Sequence, residues 1–225
     1  TILNDVTLNS VSNDGNKPVI TANNQNYTFD AVLYATGRKA NTANIGLEHT
    51  DIVTNERGAI VVNDTCESSV PGVYAVGDVN GGPQFTYVSL DDFRIVFGTL
   101  TGNGQYTLKD RKNIPYTTFL TPPLSRVGLT EEDAINQGYT VKTKEMLVAT
   151  MPRAHVNDYL KGAFKIVVDA DNDLILGATL YSQGAEELIN LIKMAMDNNI
   201  PYTYFKNQIF THPTMAENLN DLCNL

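Results

Sequence analysis

Apolar and polar positions alternate over the first 35 residues, with Val6 and Leu8, Val19 and Ile20, then Tyr27 and Phe29, interrupted by Asn13-Asp14-Gly15-Asn16 and Asn23-Asn24. A period of two broken by Asn/Gly turns predicts a small antiparallel meander. The apolar run 31–35, closed by Thr36-Gly37, predicts a buried strand ending in a glycine turn. Residues 45–72 read as loop with a short strand at 59–62, and an apolar strand then ends in Gly77-Asp78. After Gly81-Gly82-Pro83, apolar residues at helical spacing (Leu90, Phe93, Val96, Phe97) predict a helix over 86–99 with Thr86 as its N-cap.

Residues 103–113 are polar enough for a linker, and a second pattern follows. It comprises a strand at 116–120, a Pro-Pro turn, a short helix opening on the capping signature Thr130-Glu131-Glu132, and strands near 140–150, 163–168 and 174–181. The last two form a hairpin across 169–173. An amphipathic helix over 185–198 places Leu188, Leu191, Ile192 and Ala195 on one face, with Pro201 beyond its end. A last short helix follows Thr211-His212-Pro213-Thr214-Met215-Ala216-Glu217.

Charge and cysteine content narrow the function. Sixteen basic against 25 acidic residues give a net charge of -9, with no basic cluster to neutralise nucleic acid or an anionic membrane. No apolar stretch reaches the roughly 20 residues that span a bilayer, so the expectation is a cytoplasmic protein with neither kind of partner. Two cysteines, Cys66 and Cys223, exclude a disulfide-stapled scaffold and a Cys-rich zinc site, and no metal centre is expected. The sequence holds no CxxC or CxxxxC pair and no GxGxxG loop. A chain that opens on a bare meander is expected to begin partway through a larger protein.

Three segments carry the chemistry: Ala35-Thr36-Gly37-Arg38, the strand end Val73-Tyr74-Ala75-Val76-Gly77-Asp78, and His212-Pro213-Thr214 with Glu217. An aspartate at a strand end, beside a glycine that permits close backbone approach, can accept hydrogen bonds from a polyhydroxyl chain. Standing alone, Gly77-Asp78 is also a plain strand-terminating turn. A helix opening near Thr86 directs its positive dipole end at whatever lies before it. An imidazole with an ordinary pKa of about 6.5 can exchange protons with sulfur, although a lone His before Pro is more often a cap.

In their order and spacing, these segments resemble the pyridine nucleotide-disulfide oxidoreductases, the family of glutathione reductase, lipoamide dehydrogenase and mercuric reductase. Ser125-Arg126-Val127-Gly128-Leu129-Thr130-Glu131 is similar to that family's interface-domain "VGLTE" stretch. The wording around 81–87 and 152–155 is most similar to the reactive-chlorine-resistance reductases, a mercuric reductase-like bacterial subgroup. The resemblance implies an α/β FAD-domain remnant at 40–112, preceded by the tail of an NAD(P)-binding domain at 1–39. An α+β dimerisation domain of the glutathione reductase type, an antiparallel sheet with helices, is expected at 113–225.

It further implies FAD as cofactor and NAD(P)H as co-substrate, with both sites incomplete in this chain. Thr36, Gly37, Gly77, Asp78, Phe85 and Thr86 are the expected cofactor-binding residues, Asp78 on the flavin ribityl chain. His212 and Glu217 are the expected acid-base pair, serving a disulfide of the partner in a homodimer, with a small disulfide or a metal ion as acceptor. Positions five apart do not share a helical face, so that pair needs His212 to precede the helix and fold back. The chain alone is expected to be inactive; the rival reading is a non-catalytic dimerisation module. His49 and His155 read as surface or loop residues. Cys223 reads as an incidental exposed thiol, against a metal-delivery role for which the mercuric reductases use a pair.

Overall fold

Three short antiparallel strands, β1 (Leu8–Asn13), β2 (Pro18–Ala22) and β3 (Gln25–Thr28), open the chain in the order in which they occur. Asn23 and Asn24, both at positive φ, make the tight turn between β2 and β3. The meander is the one the alternating pattern predicts. In the computed structural model, which describes residues 1–225, the chain divides into two compact units, 1–97 and 98–225.

Three expected strands in the first unit are not regular strands. Residues 31–35 pair with nothing, and Leu33 is 88% exposed. Residues 59–62 and 72–76 contribute only isolated bridges, Thr54 to Ile60, Val62 to Ser68 and Glu67 to Tyr74. An apolar run becomes a strand when neighbouring strands take up its N–H and C=O groups in a continuous ladder; residues 31–35 have no such neighbour, and 59–62 and 72–76 find partners only at single positions. The helix α1 (Thr86–Thr101) forms as expected. It buries Val88, Asp92 and Ile95, while Leu90, Phe93 and Phe97 of the predicted apolar stripe are exposed. The carbonyl of Phe85 accepts from the N–H groups of Val88 and Ser89, so the residue before the helix is Phe85 and Thr86 lies inside it.

The second unit is built on a five-stranded antiparallel sheet of β4 (Tyr116–Thr118), β5 (Leu124–Gly128), β6 (Val141–Leu147), β7 (Ala163–Asp169) and β8 (Ile175–Tyr181), in the order β4-β5-β8-β7-β6. The β7–β8 hairpin turns where the sequence places it. There the Asp169 carboxylate accepts from Asn172 Nδ2 and Asp171 N–H, which hold it below the usual carboxylate range. One sheet face is apolar, carrying Phe164, Ile166, Val168, Ala178, Leu180 and Val127; the other carries Lys165, Thr179 and Arg126. Such one-sided burial is what an antiparallel sheet permits.

Helix α4 (Ala185–Asp197) lies against β8 and β5 with Leu188, Ile189, Ile192 and Ala195 buried, so Ile189 replaces the predicted Leu191 on the inner face. The short helices are α2 (Glu131–Asn136), capped by Thr130 and Asp133, then α3 (Pro152–Val156), α5 (Tyr202–Asn207) and α6 (Asn218–Leu222). Helix α6 packs on α5, β6 and β7. The outer strands are β4, three residues long, and β6, which carries Lys142, Lys144 and Glu145.

Candidate functional site

The Gly77-Asp78 turn is held from below by a residue that the sequence pattern hides. Residues Gly77–Asn80 form one 3-10 turn. Gly77 has φ 73°, and a Cβ there would stand 2.8 Å from Ser89 Oγ on α1, so only glycine lets the backbone pass this close. Asp92, fully buried on α1, accepts from Gly77 N–H at 2.7 Å and from Asn80 Nδ2 at 2.9 Å. Asn80 in turn reaches the Ala75 carbonyl at 3.3 Å and accepts from Gly82 N–H at 3.0 Å. A carboxylate that takes two donors inside a helix packing face costs desolvation and repays it by fixing the turn. The signal for it was an acid on the buried stripe of Val88, Asp92 and Ile95, spaced by four and three.

Asp78 itself stays open to solvent. Its carboxylate is half-exposed and lies 3.9 Å from Arg38 Nη1, an exposed pair that contributes little to stability but brings the 36–38 segment beside Asp78. Thr36 and Gly37 are exposed, and Gly37, at φ 98°, has no atom within 4 Å of where its Cβ would be. Phe85 and Thr86 stand at the start of α1, where Phe85 stacks on Tyr87 at 5.1 Å.

In the second unit the His-Pro segment leaves α5 as extended chain and enters α6 through Glu217. The His212-Pro213 peptide is cis. His212 Nδ1 lies 2.6 Å from Glu217 Oε2, so the ring precedes the helix and folds back, as the pairing requires. Glu217 Oε1 accepts Thr214 N–H at 3.1 Å, the Thr214 hydroxyl accepts Glu217 N–H at 3.2 Å, and the same hydroxyl donates to the Thr211 carbonyl at 2.8 Å. The carboxylate is thus fixed from both sides. Its side chain is 18% exposed and that of His212 is 68% exposed. A carboxylate on Nδ1 places a proton there and leaves Nε2 as the atom that takes or gives a proton at the surface.

The remaining candidates divide. His49 and His155 are exposed, His155 on α3 with its Nε2 2.8 Å from the Ala149 carbonyl. Cys223, expected to be exposed, is completely buried after α6, and burial pushes its thiol up to about 12. A thiol with that environment is a small core residue, which removes the metal-delivery reading. Cys66 is also buried.

An antiparallel sheet with helices, following a unit that ends in a glycine-aspartate turn and a helix, is the fold shared with flavoprotein disulfide reductases of known structure. The chain belongs to the pyridine nucleotide-disulphide oxidoreductase family: its dimerisation-domain model matches residues 114–223, and a second model of the family matches residues 1–92. The family uses FAD and NAD(P)H.

Among relatives, the chain is 44% identical over 225 residues to the probable pyridine nucleotide-disulfide oxidoreductase RclA of Escherichia coli strain K12, covering 98% of this chain and 51% of that protein. It is 33% identical to a mercuric reductase of Shewanella putrefaciens, covering 99% of this chain and 39% of the relative. The solved structure of the HOCl-induced flavoprotein disulfide reductase RclA from Escherichia coli superposes with a TM-score of 0.91 at 43% identity, over 97% of this chain and 50% of that one. The chain therefore spans about half the length of the first of these relatives and less of the second. No helix is long and apolar enough to cross a membrane.

Proposed function

We propose that this chain is the FAD-contacting and dimer-forming half of a cytoplasmic NAD(P)H:disulfide oxidoreductase, with His212 and Glu217 as its acid-base pair. The 2.6 Å contact between His212 Nδ1 and Glu217 Oε2 on an exposed turn carries this reading. The redox cysteine pair is not among the two cysteines of this chain, so the chain alone does not turn over. In a homodimer His212 of one protomer serves sulfur held by its partner. Nε2 gives its proton to the departing thiolate and regains one from the incoming thiol, while Glu217 keeps the ring oriented.

The residues at 36–38 and 77–86 fit FAD. Asp78 offers an open carboxylate to ribityl hydroxyls, Gly37 and Gly77 allow backbone approach, and the N-terminal end of α1 favours negative charge before it. Bound there, FAD supplies the hydride chemistry that links NAD(P)H to the dithiol. The test is His212→Ala in the full-length flavoprotein, assayed by NAD(P)H oxidation with hydroxyethyl disulfide. Turnover is expected to fall by about 100-fold, the scale of a general acid-base group, with flavin retained and still bleached by NAD(P)H. Unchanged turnover removes His212 from the chemistry, and a flavin-free protein that only dimerises would leave a non-catalytic assembly module.

A further inference from the structure

His212 and Thr211 are exposed and Ile209 is 91% exposed, while Phe210 and Met215 on either side are half-buried against the core of the second unit. Hydrogen bonds at the base of the arm add to that packing.

Asn220 Nδ2 lies 2.6 Å from the Phe205 carbonyl and 2.8 Å from the Gln208 carbonyl, with the Lys206 carbonyl at 3.4 Å. Phe205 and Lys206 belong to the last turn of α5, and Gln208, the residue that ends it, donates its N–H to the Phe205 carbonyl at 3.3 Å, so Asn220 adds a second donor there. An amide nitrogen has two N–H groups, and the two short contacts use both. Because every neighbour is an acceptor, the nitrogen and not the oxygen must face them. The backbone N–H of Asn220 also donates to the Glu217 carbonyl at 3.0 Å. One residue therefore closes the loop 208–220, which contains His212, Pro213 and Glu217.

Two further groups steady the platform on which Asn220 stands. Asn218, 2% exposed, donates to the Thr214 and Met215 carbonyls from inside. Lys144 Nζ on β6 donates to the carbonyls of Asp221 at 2.6 Å and Asn224 at 2.9 Å, tying α6 to the sheet.

We propose that Asn220 is a positioning residue for His212: by holding the carbonyls of Phe205 and Gln208 it fixes where the imidazole stands relative to the sulfur it serves. The proposal rests on the acid-base reading of His212. A displacement of about 1 Å in such a group costs up to about 100-fold in rate, so loss of the clamp is expected to cost about 10-fold or more.

The experiment compares Asn220→Ala, Asn220→Asp and His212→Ala in the full-length, flavin-loaded protein. Two acceptors are used. Hydroxyethyl disulfide releases a basic thiolate that needs a proton; dithiobis(nitrobenzoate) releases a weakly basic aromatic thiolate that does not. Both Asn220 variants are expected to slow hydroxyethyl disulfide turnover by about 10-fold while changing the aromatic disulfide and flavin reduction by NAD(P)H by less than about twofold. Equal losses with both acceptors, or loss of flavin or dimer in both variants, overturns the proposal by showing that Asn220 holds the fold and not the ring. Normal Asn220 variants beside a slow His212→Ala overturn it alone. An unaffected His212→Ala overturns the acid-base reading and this proposal with it.

Discussion

Glu217→Gln separates the charge of the His212 contact from its shape. The two carboxylate oxygens serve different donors, Oε2 facing His212 Nδ1 at 2.6 Å and Oε1 accepting Thr214 N–H at 3.1 Å. Glutamine has one oxygen. If that oxygen keeps the Thr214 N–H, the amide NH2 meets Nδ1, which can accept it only in the neutral ring. The imidazolium carries a proton on each nitrogen and would then face donor against donor. A hydrogen bond to a charged group contributes about 1.5–3 kcal/mol. With the His212 side chain 68% exposed, solvent screening sets the figure at the low end, about 1.5 kcal/mol. That converts to a rate loss of roughly tenfold. Steady-state NAD(P)H oxidation by the full-length variant, with hydroxyethyl disulfide and dithiobis(nitrobenzoate) in parallel, reads it directly. The tenfold loss is expected only with the aliphatic disulfide, whose leaving group needs the proton. Equal rates for wild type and variant, or equal losses with both acceptors, would refute the reasoning.

Other consequences follow from the buried groups. Asp92→Ala leaves the Gly77 N–H and Asn80 amide without their acceptor, at a cost of about 1–3 kcal/mol, and by loosening the turn that displays Asp78 should weaken flavin retention in equilibrium dialysis. Cys223 should resist iodoacetamide at pH 8 until the protein is unfolded. As pH rises above 9.0 the unfolded thiol loses its proton while the folded one, near 12, keeps it, so stability should decline across that window and Cys223→Ala should lessen the decline in a pH series of thermal melts. Gly162→Ala places a Cβ 1.8 Å from the Tyr181 carbonyl at φ 125°, and should lower the melting temperature by the equivalent of about 1–3 kcal/mol or prevent folding.

Elements with a strong period are legible in the sequence. The β7–β8 hairpin and α4 are examples, because each can be specified by its own residues and the core they face. Strand β5 is not, since Ser125, Arg126 and Gly128 dilute its apolar content; its pairing with β4 and β8 makes it a strand. Residues 31–35 failed in the opposite sense, an apolar run with no partner strand alongside. Cys223 was misplaced because solvent exposure near a chain end depends on what the final helix packs against, here β6 and β7. The His212–Glu217 contact came from family resemblance, while Asp92 and Asn220 left no motif. Side chains that bind backbone groups 12 to 15 positions away have no fixed spacing to read.

The borders of the five-stranded sheet bear on how two copies of this domain can meet. One border offers three residues of backbone and the other is studded with Lys142, Lys144 and Glu145. Neither gives an incoming chain a long, flat, uncharged template. Association by strand addition is thus discouraged, and with it the runaway stacking that leads to aggregates, so the proposed pairing of two copies would fall to side chains and could be specific to one partner.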